Sequence, residues 1–343
     1  MNSETLRFVA PACAAKTDRR SPQPRTRLSH FRTWLAFALL AALGNAGLLA
    51  QIKDYSTIVV FGDSLSDTGN VAHLTESQYG IRIPGPIVNY TDGRFTDGYD
   101  TLPAAQKFFG NWVEQFAASL PSHPEVTDSL DGGTNYAYGF ATTGNGTSTL
   151  AFGTSNLFPV QVENMGQQIT DYLSSHPKID NKMLFIVWGG AIDVLYATSL
   201  KDVTNAAFQE VLNLQRLIDA GATQFLVVNV PPLGLTPRLN GSPAAALTAT
   251  AGAALFNGYV ATGVAVLKDF YWYRRLKAYQ LDSFRLLNSI VAKPSAYSLT
   301  NVNTPAQGQS QVDPDSYLFW DDLHPTTRGH NIVAGSAAGL LRR

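Results

Sequence analysis

The sequence predicts an α/β fold, a three-layer α/β/α sandwich around a mostly parallel sheet, from three observations. Residues 57–61, 183–188 and 224–230 are short, nearly continuous apolar runs rich in β-branched and aromatic side chains and bounded by turn residues. Such runs suit strands covered on both faces. Between the last two, Phe208, Val211, Leu212, Leu214, Leu217 and Ile218 recur at helical spacing, and Gly221 follows as a C-cap. Strand, helix and strand in that succession imply a parallel pair joined by a crossover. From Tyr55 onward no linker, charge block or internal repeat interrupts the chain, so residues 51–343 read as a single domain.

Taken in order, the first strand at 57–61 runs into a turn at 62–67, and Gly-, Asn- and Thr-rich stretches at 85–100 and 131–156 read as long loops. The strand at 183–188, the helix closed by Gly221 and the strand at 224–230 follow. A long helix is expected over about 244–275, a short strand near 276–281, a helix over 284–292 and a last helix after Thr326. In open sheets of this kind ligands bind outside the carboxyl ends of the strands, and long loops there carry function.

Composition narrows the classes. The chain has 343 residues, 45% of them hydrophobic, enough for a full core. Its formal charge of −1 is unevenly split: residues 1–50 hold seven Lys/Arg and two Asp/Glu, which leaves 18 basic and 24 acidic side chains beyond them, a net of −6. A mildly acidic body without a basic cluster excludes nucleic acid as the expected partner. Cys13 is the single cysteine, so neither a disulfide framework nor a cysteine metal site is available.

Residues 1–33 are polar and carry Arg19, Arg20, Arg25, Arg27 and Arg32, and they lead into an apolar run at 34–43. Small residues at Gly44, Ala46 and Ala50 then offer cleavage after Ala46 or Ala50. This is the architecture of a secretory signal peptide with a long basic n-region. The apolar run of about ten residues is short for a span, which takes roughly 20. An uncleaved signal anchor at 34–50 is the competing reading. Sequons at Asn89, Asn145 and Asn240 suit a glycosylated extracellular product, the last weakened by Pro243.

Two short blocks carry the chemistry. Phe61-Gly62-Asp63-Ser64-Leu65-Ser66-Asp67 puts Ser64 on a strand-to-helix turn, where a lone serine is most often an N-cap. Trp320-Asp321-Asp322-Leu323-His324-Pro325-Thr326 puts a carboxylate three residues before a histidine, which alone reads as a surface turn. Together they supply a nucleophile, a base and an orienting acid. With Tyr90-x-x-Gly93-Arg94-Phe95 and Asn135-Tyr136-Ala137, the sequence from about Tyr55 to Gly339 resembles the GDSL esterase/lipase family of SGNH hydrolases.

The resemblance implies a flavodoxin-like sheet and serine esterase chemistry with Ser64 as nucleophile, His324 as general base and Asp321 as its partner. Asp322 is the less suited partner, because its neighbouring position points it elsewhere. Relatives stabilise the oxyanion with the backbone N–H of the serine, a glycine N–H and an asparagine amide. Ser64 supplies the first and Gly139 is expected to supply the second, with Gly144 as fallback; many relatives have a further glycine where Phe140 stands. In the third block relatives read Gly-x-Asn-Asp, whereas Gly190-Ala191-Ile192-Asp193 puts Ile192, which has no donor, at the asparagine position.

The expected activity is hydrolysis of short-chain acyl or acetyl esters outside the cell, on a small-molecule or carbohydrate-linked substrate, with no cofactor, no metal and no stable membrane insertion after cleavage. The alternative is a decayed extracellular carbohydrate-binding or surface protein on the same scaffold. Of the aromatic residues, Trp112 and Trp188 sit in apolar patterns and, like Tyr90 and Tyr136, read as core or loop packing, whereas Tyr138 and Phe140, beside Gly139, are expected to line the cleft. His73, His123, His176 and His330 share no spacing with carboxylates.

Overall fold

A computed structural model describes residues 53–97, 108–152, 156–176, 179 and 182–342. Cys13 and the expected export segment at 1–50 lie outside the described residues. In chain order the elements are β1 (Thr57–Gly62), α1 (Asn70–Tyr79), α2 (Trp112–Ala118), β2 (Thr147–Phe152), β3 (Leu157–Glu163), α3 (Met165–Ser175), β4 (Met183–Trp188), α4 (Ala191–Tyr196) and α5 (Leu200–Asp219). There follow β5 (Gln224–Val228), α6 (Pro237–Asn240), α7 (Pro243–Phe270), β6 (Lys277–Leu281), α8 (Ser283–Ala292), β7 (Asn301–Pro305), β8 (Tyr317–Phe319) and α9 (Thr327–Leu340).

The central sheet has the order β1-β4-β5-β6, and every pairing in it is parallel. On the outer side of β1 the chain adds one parallel bridge, Val60 to Asn135. Side chains alternate between two cores, as strand geometry requires. Val59, Phe61, Phe185, Val187, Phe225 and Val227 pack on one face against α3, α5 and α7. Ile58, Val60, Leu184, Ile186, Leu226 and Val228 pack on the other against α2 and α9. Helix on sheet on helix gives the three expected layers.

Local signals explain several boundaries. Ser199 with Asp202 and Asn111 with Glu114 form capping boxes that start α5 and α2. Thr326 caps α9 by accepting the Gly329 N–H. The helix α7 is long and apolar enough to cross a membrane by length and composition, yet its Phe256, Val260, Val264 and Leu267 are buried in the core of this domain. It ends at Phe270, short of the expected Arg275, and a 3₁₀ turn at Trp272–Arg274 fills the gap. The strand expected at 224–230 stops at Val228, because Val230 leaves the ladder and donates its N–H to the Asn257 side chain. The stretch 131–156, read as loop, contains β2, which pairs antiparallel with β3.

Candidate active site

The site lies at the carboxyl end of β1. Beyond Gly62 the chain turns sharply: Asp63 accepts the Leu65 N–H on its carboxylate, and its carbonyl takes the N–H groups of Ser66 and Asp67. Ser64 sits at the tip of that turn. The buried Asp67 carboxylate accepts the N–H groups of Gly69, Asn70 and Gly139 at 2.8, 2.9 and 2.9 Å, so it caps α1 and fastens the 135–141 stretch to the serine turn. Burial pushes its carboxyl up to about 7 against the pull of those donors. Asn135 reinforces the junction, its amide donating to the Ser66 carbonyl and the Thr68 hydroxyl.

The Asp-x-x-His block arrives from the other end of the chain. His324 Nε2 lies 2.8 Å from Ser64 Oγ, and Nδ1 lies 2.6 Å from Asp321 Oδ2. A carboxylate only accepts, so Nδ1 carries a hydrogen, and in the tautomer with its other nitrogen bare, Nε2 accepts the Ser64 O–H. Asp321 Oδ1 takes the N–H groups of Leu323 and His324 at 2.7 and 2.5 Å. The spacing of three residues therefore lets one turn hold both groups. Burial works against the Asp321 charge, but the imidazole beside it and these donors outweigh burial and hold the carboxyl well below the usual carboxylate range.

Sequence reasoning missed a fourth group. Tyr90 donates its hydroxyl to Asp321 Oδ2 at 2.7 Å, sharing that oxygen with His324. The whole 90–97 stretch is stitched to the histidine block. The Phe95 ring lies 5.1 Å from the His324 ring, the Thr96 hydroxyl donates to the Pro325 carbonyl, and Asp97 accepts the N–H and hydroxyl of Thr327. Asp322 turns away and forms a bidentate pair with Arg238 at 2.9 and 3.1 Å.

The expected oxyanion glycine needs correction. The Gly139 N–H is committed to Asp67, and a Cβ at this position would meet the Phe95 ring at 2.4 Å, so glycine is required here for close packing. The Gly144 N–H is 3.4 Å from Thr142 Oγ1, and this residue lines neither cavity at the serine. Phe140 is the alternative. It holds a left-handed φ of 69°, it lines the cleft beside Ser64, and among the described residues no acceptor takes its N–H or that of Ser64. Tyr138, also expected in the cleft, is buried in a small core with Val71 and Phe95 instead. Ile192, on the first turn of α4, is buried at the cleft beside Ser64, and Asp193 next to it accepts the N–H and hydroxyl of Thr143.

Two cavities meet at the serine. One, of about 600 Å³, is an open cleft whose walls include Tyr90, Phe140, Tyr196, Arg238 and Gln307. The other, of about 80 Å³, is narrow and runs behind the serine between Trp188, α8 and β8. Ser64, Ile192, Leu323 and His324 line both. Trp112 and Trp188 are both core, as read, and Trp188 also lines the narrow cavity. Asn89, Asn145 and Asn240 are exposed, and the Asn240 amide donates to the Asn303 carbonyl. Among the described residues no group of three or more His, Cys, Asp or Glu is arranged to hold a metal ion.

A family model described as GDSL-like lipase/acylhydrolase matches residues 58–336. An uncharacterized Pseudomonas putida protein, encoded between trpE and trpG, is 26% identical over 90% of this chain and 52% of its own length. A GDSL esterase/lipase of Arabidopsis thaliana is 24% identical over 89% of this chain and 93% of its own. Esterase EstA of Pseudomonas aeruginosa is 28% identical over 90% of this chain and 50% of its own. The chain thus spans about half the length of both bacterial relatives.

Proposed function

Since the chain belongs to the GDSL-like lipase/acylhydrolase family, we propose that it is a carboxylic ester hydrolase with Ser64 as nucleophile, His324 as general base and Asp321 as the group that orients the base. The observation that carries this reading is the unbroken hydrogen-bonded series from Ser64 Oγ through His324 to Asp321, at 2.8 and 2.6 Å.

Ser64 Oγ attacks the ester carbonyl carbon while its proton passes to His324 Nε2. The carbonyl oxygen becomes an oxyanion held by the N–H groups of Ser64 and Phe140. Collapse breaks the bond to the alkoxy oxygen, which leaves as the alcohol with the proton from Nε2, and Ser64 keeps the acyl group. Water then enters, gives its proton to Nε2, attacks the acyl carbon and releases the acid and the serine hydroxyl. Asp321 stabilises the imidazolium in both halves. Tyr90 fixes the carboxylate from the side opposite its backbone donors.

Substrates are short-chain acyl esters outside the cytoplasm. The basic and apolar segments of residues 1–50 support export, and the exposed Asn89, Asn145 and Asn240 are accessible to glycosylation. Hydrolysis of p-nitrophenyl acetate by the purified chain, abolished by Ser64→Ala without loss of thermal stability, is the expected result. Equal turnover by the Ser64→Ala variant refutes the mechanism, and absence of turnover in both favours the decayed, ligand-binding alternative. Secreted material is expected to begin near Gly47 or Gln51, and intact chain in a membrane fraction overturns the cleavage.

A further inference from the structure

We propose that the narrow cavity behind Ser64 is an acyl-chain subsite that selects saturated acyl groups at the long end of the short-chain range, about five to eight carbons, with the open cleft taking the alcohol portion; this rests on Ser64 being the nucleophile. The two spaces differ in the way such a division needs. Beyond the residues they share, the wall of the narrow cavity is mostly apolar, with Trp188, Leu287, Ile290, Leu318, Phe319 and Val333 all buried, and its polar members Asp63, Thr236 and Ser283 are already bonded to backbone groups. A sugar or a charged group there would leave its polar atoms without partners, whereas a methylene chain loses nothing. The cleft instead carries the phenol of Tyr90, the amide of Gln307 and the ion pair of Arg238 with Asp322, and it opens to solvent.

The order of events assigns the two portions to the same places. The alcohol departs first, so its side needs a path to solvent, and the water that completes the reaction enters by the space the alcohol has left. The acyl group stays bonded to Ser64 through both halves and never has to leave before the last step. A small, mostly apolar seat suits it and obstructs neither alcohol nor water.

Size sets the length. A cavity needs roughly 10–15 Å³ to hold one water-sized group, so about 80 Å³ accepts a chain of roughly five to eight carbons. Ile192 completes the wall where the two spaces join. This gives a physical reason for an apolar side chain at the position where relatives carry a polar one: the donor is exchanged for a dry mouth to the acyl seat.

The test is kcat/KM of the full chain on p-nitrophenyl esters from acetyl to dodecanoyl. The expected profile rises by about fourfold per methylene, the factor for burying one, peaks between pentanoyl and octanoyl, and falls at decanoyl and beyond. Leu287→Trp fills the cavity and moves the peak to acetyl or butanoyl. Ile290→Ala enlarges it and moves the peak up by one or two carbons; where Leu287→Trp fails a thermal melt, this variant decides. A peak that stays in place in every folded variant, while Ser64→Ala still abolishes hydrolysis, overturns the subsite. Hydrolysis that survives Ser64→Ala overturns the proposed function instead.

Discussion

Replacing Ile192 with asparagine perturbs the site at its least expected residue. Ile192 is 6% exposed and lines both cavities beside Ser64, so an amide there starts beside the serine on which the proposed oxyanion would form. Two backbone donors are already available, those of Ser64 and Phe140. Removing one donor from a complete oxyanion hole costs roughly 10²–10³ in rate, about 2.7–4 kcal/mol. Adding the third is therefore expected to raise kcat at least about tenfold, with KM little changed, because the bond strengthens only in the transition state. The same change removes a buried aliphatic side chain, a loss of about 1.5–3 kcal/mol, and in the free enzyme leaves an amide in part unsatisfied, a further 1–3 kcal/mol or so. Faster turnover with a melting temperature several degrees lower is the signature. The assay pairs steady-state kinetics on p-nitrophenyl acetate with thermal melts of both proteins. A variant as stable as the parent and no faster refutes the placement of Ile192 at the oxyanion.

Three further outcomes are expected. Tyr90→Phe removes one of the donors on the buried Asp321 carboxylate, so stability falls by about 1.5–3 kcal/mol, the range for hydrogen bonds to charged groups, while kcat falls less than tenfold because His324 Nδ1 keeps its bond; a loss as large as that of Asp321→Ala contradicts a supporting role. Gly139→Ala drives a methyl into Phe95, which lies against His324, and overpacking of this kind costs about 1–3 kcal/mol; unchanged melting and unchanged kcat would show that the ring yields freely. His330 is fully buried with Nδ1 unpaired, and burial, then the neighbouring His324 charge, pushes its pKa down to about 3. The unfolded chain takes up a proton below about 6.5 and the folded chain does not, so this contribution to stability is complete above that pH and is lost as pH falls toward 3. The loss is about 2 kcal/mol by pH 5, and urea midpoints at pH 7, 6 and 5 should drop in the parent but less steeply in His330→Leu.

The sheet was legible because β1, β4 and β5 are buried on both faces and so are apolar without interruption. The hairpin of β2 and β3 was not, since it is buried only in part and its polar residues read as loop. Ser64, Asp321 and His324 were readable as residue types at fixed offsets, and the turn that joins Asp321 to His324 is local. Tyr90 escaped because its partner is 231 residues away and a phenol has no offset that announces such a partner; the block Tyr90-x-x-Gly93-Arg94-Phe95 was the available hint. Gly139 was misjudged for a related reason. Residue type says that a backbone N–H can be approached closely, but which N–H is spoken for depends on Asp67, 72 positions earlier. Phe140, at a left-handed φ where many relatives have glycine, carried the better signal.

The stitching of 90–97 onto 321–327 has a bearing on how the protein comes into being. The proposed nucleophile, Ser64, leaves the ribosome 260 residues ahead of the proposed base, His324. Beyond the local turn with Asp321, the bonds that join the histidine block to the rest of the site cross most of the chain: Ser64 to His324 spans 260 positions, Tyr90 to Asp321 spans 231, and Thr96 to Pro325 spans 229. A half-made or half-folded polypeptide thus holds a serine with no base beside it, as inert as any other surface hydroxyl. In the proposed mechanism hydrolytic competence switches on only when residues 321–327 close onto Ser64 and the 90–97 stretch, so the nascent protein is harmless to the esters around it until His324 has been made and seated.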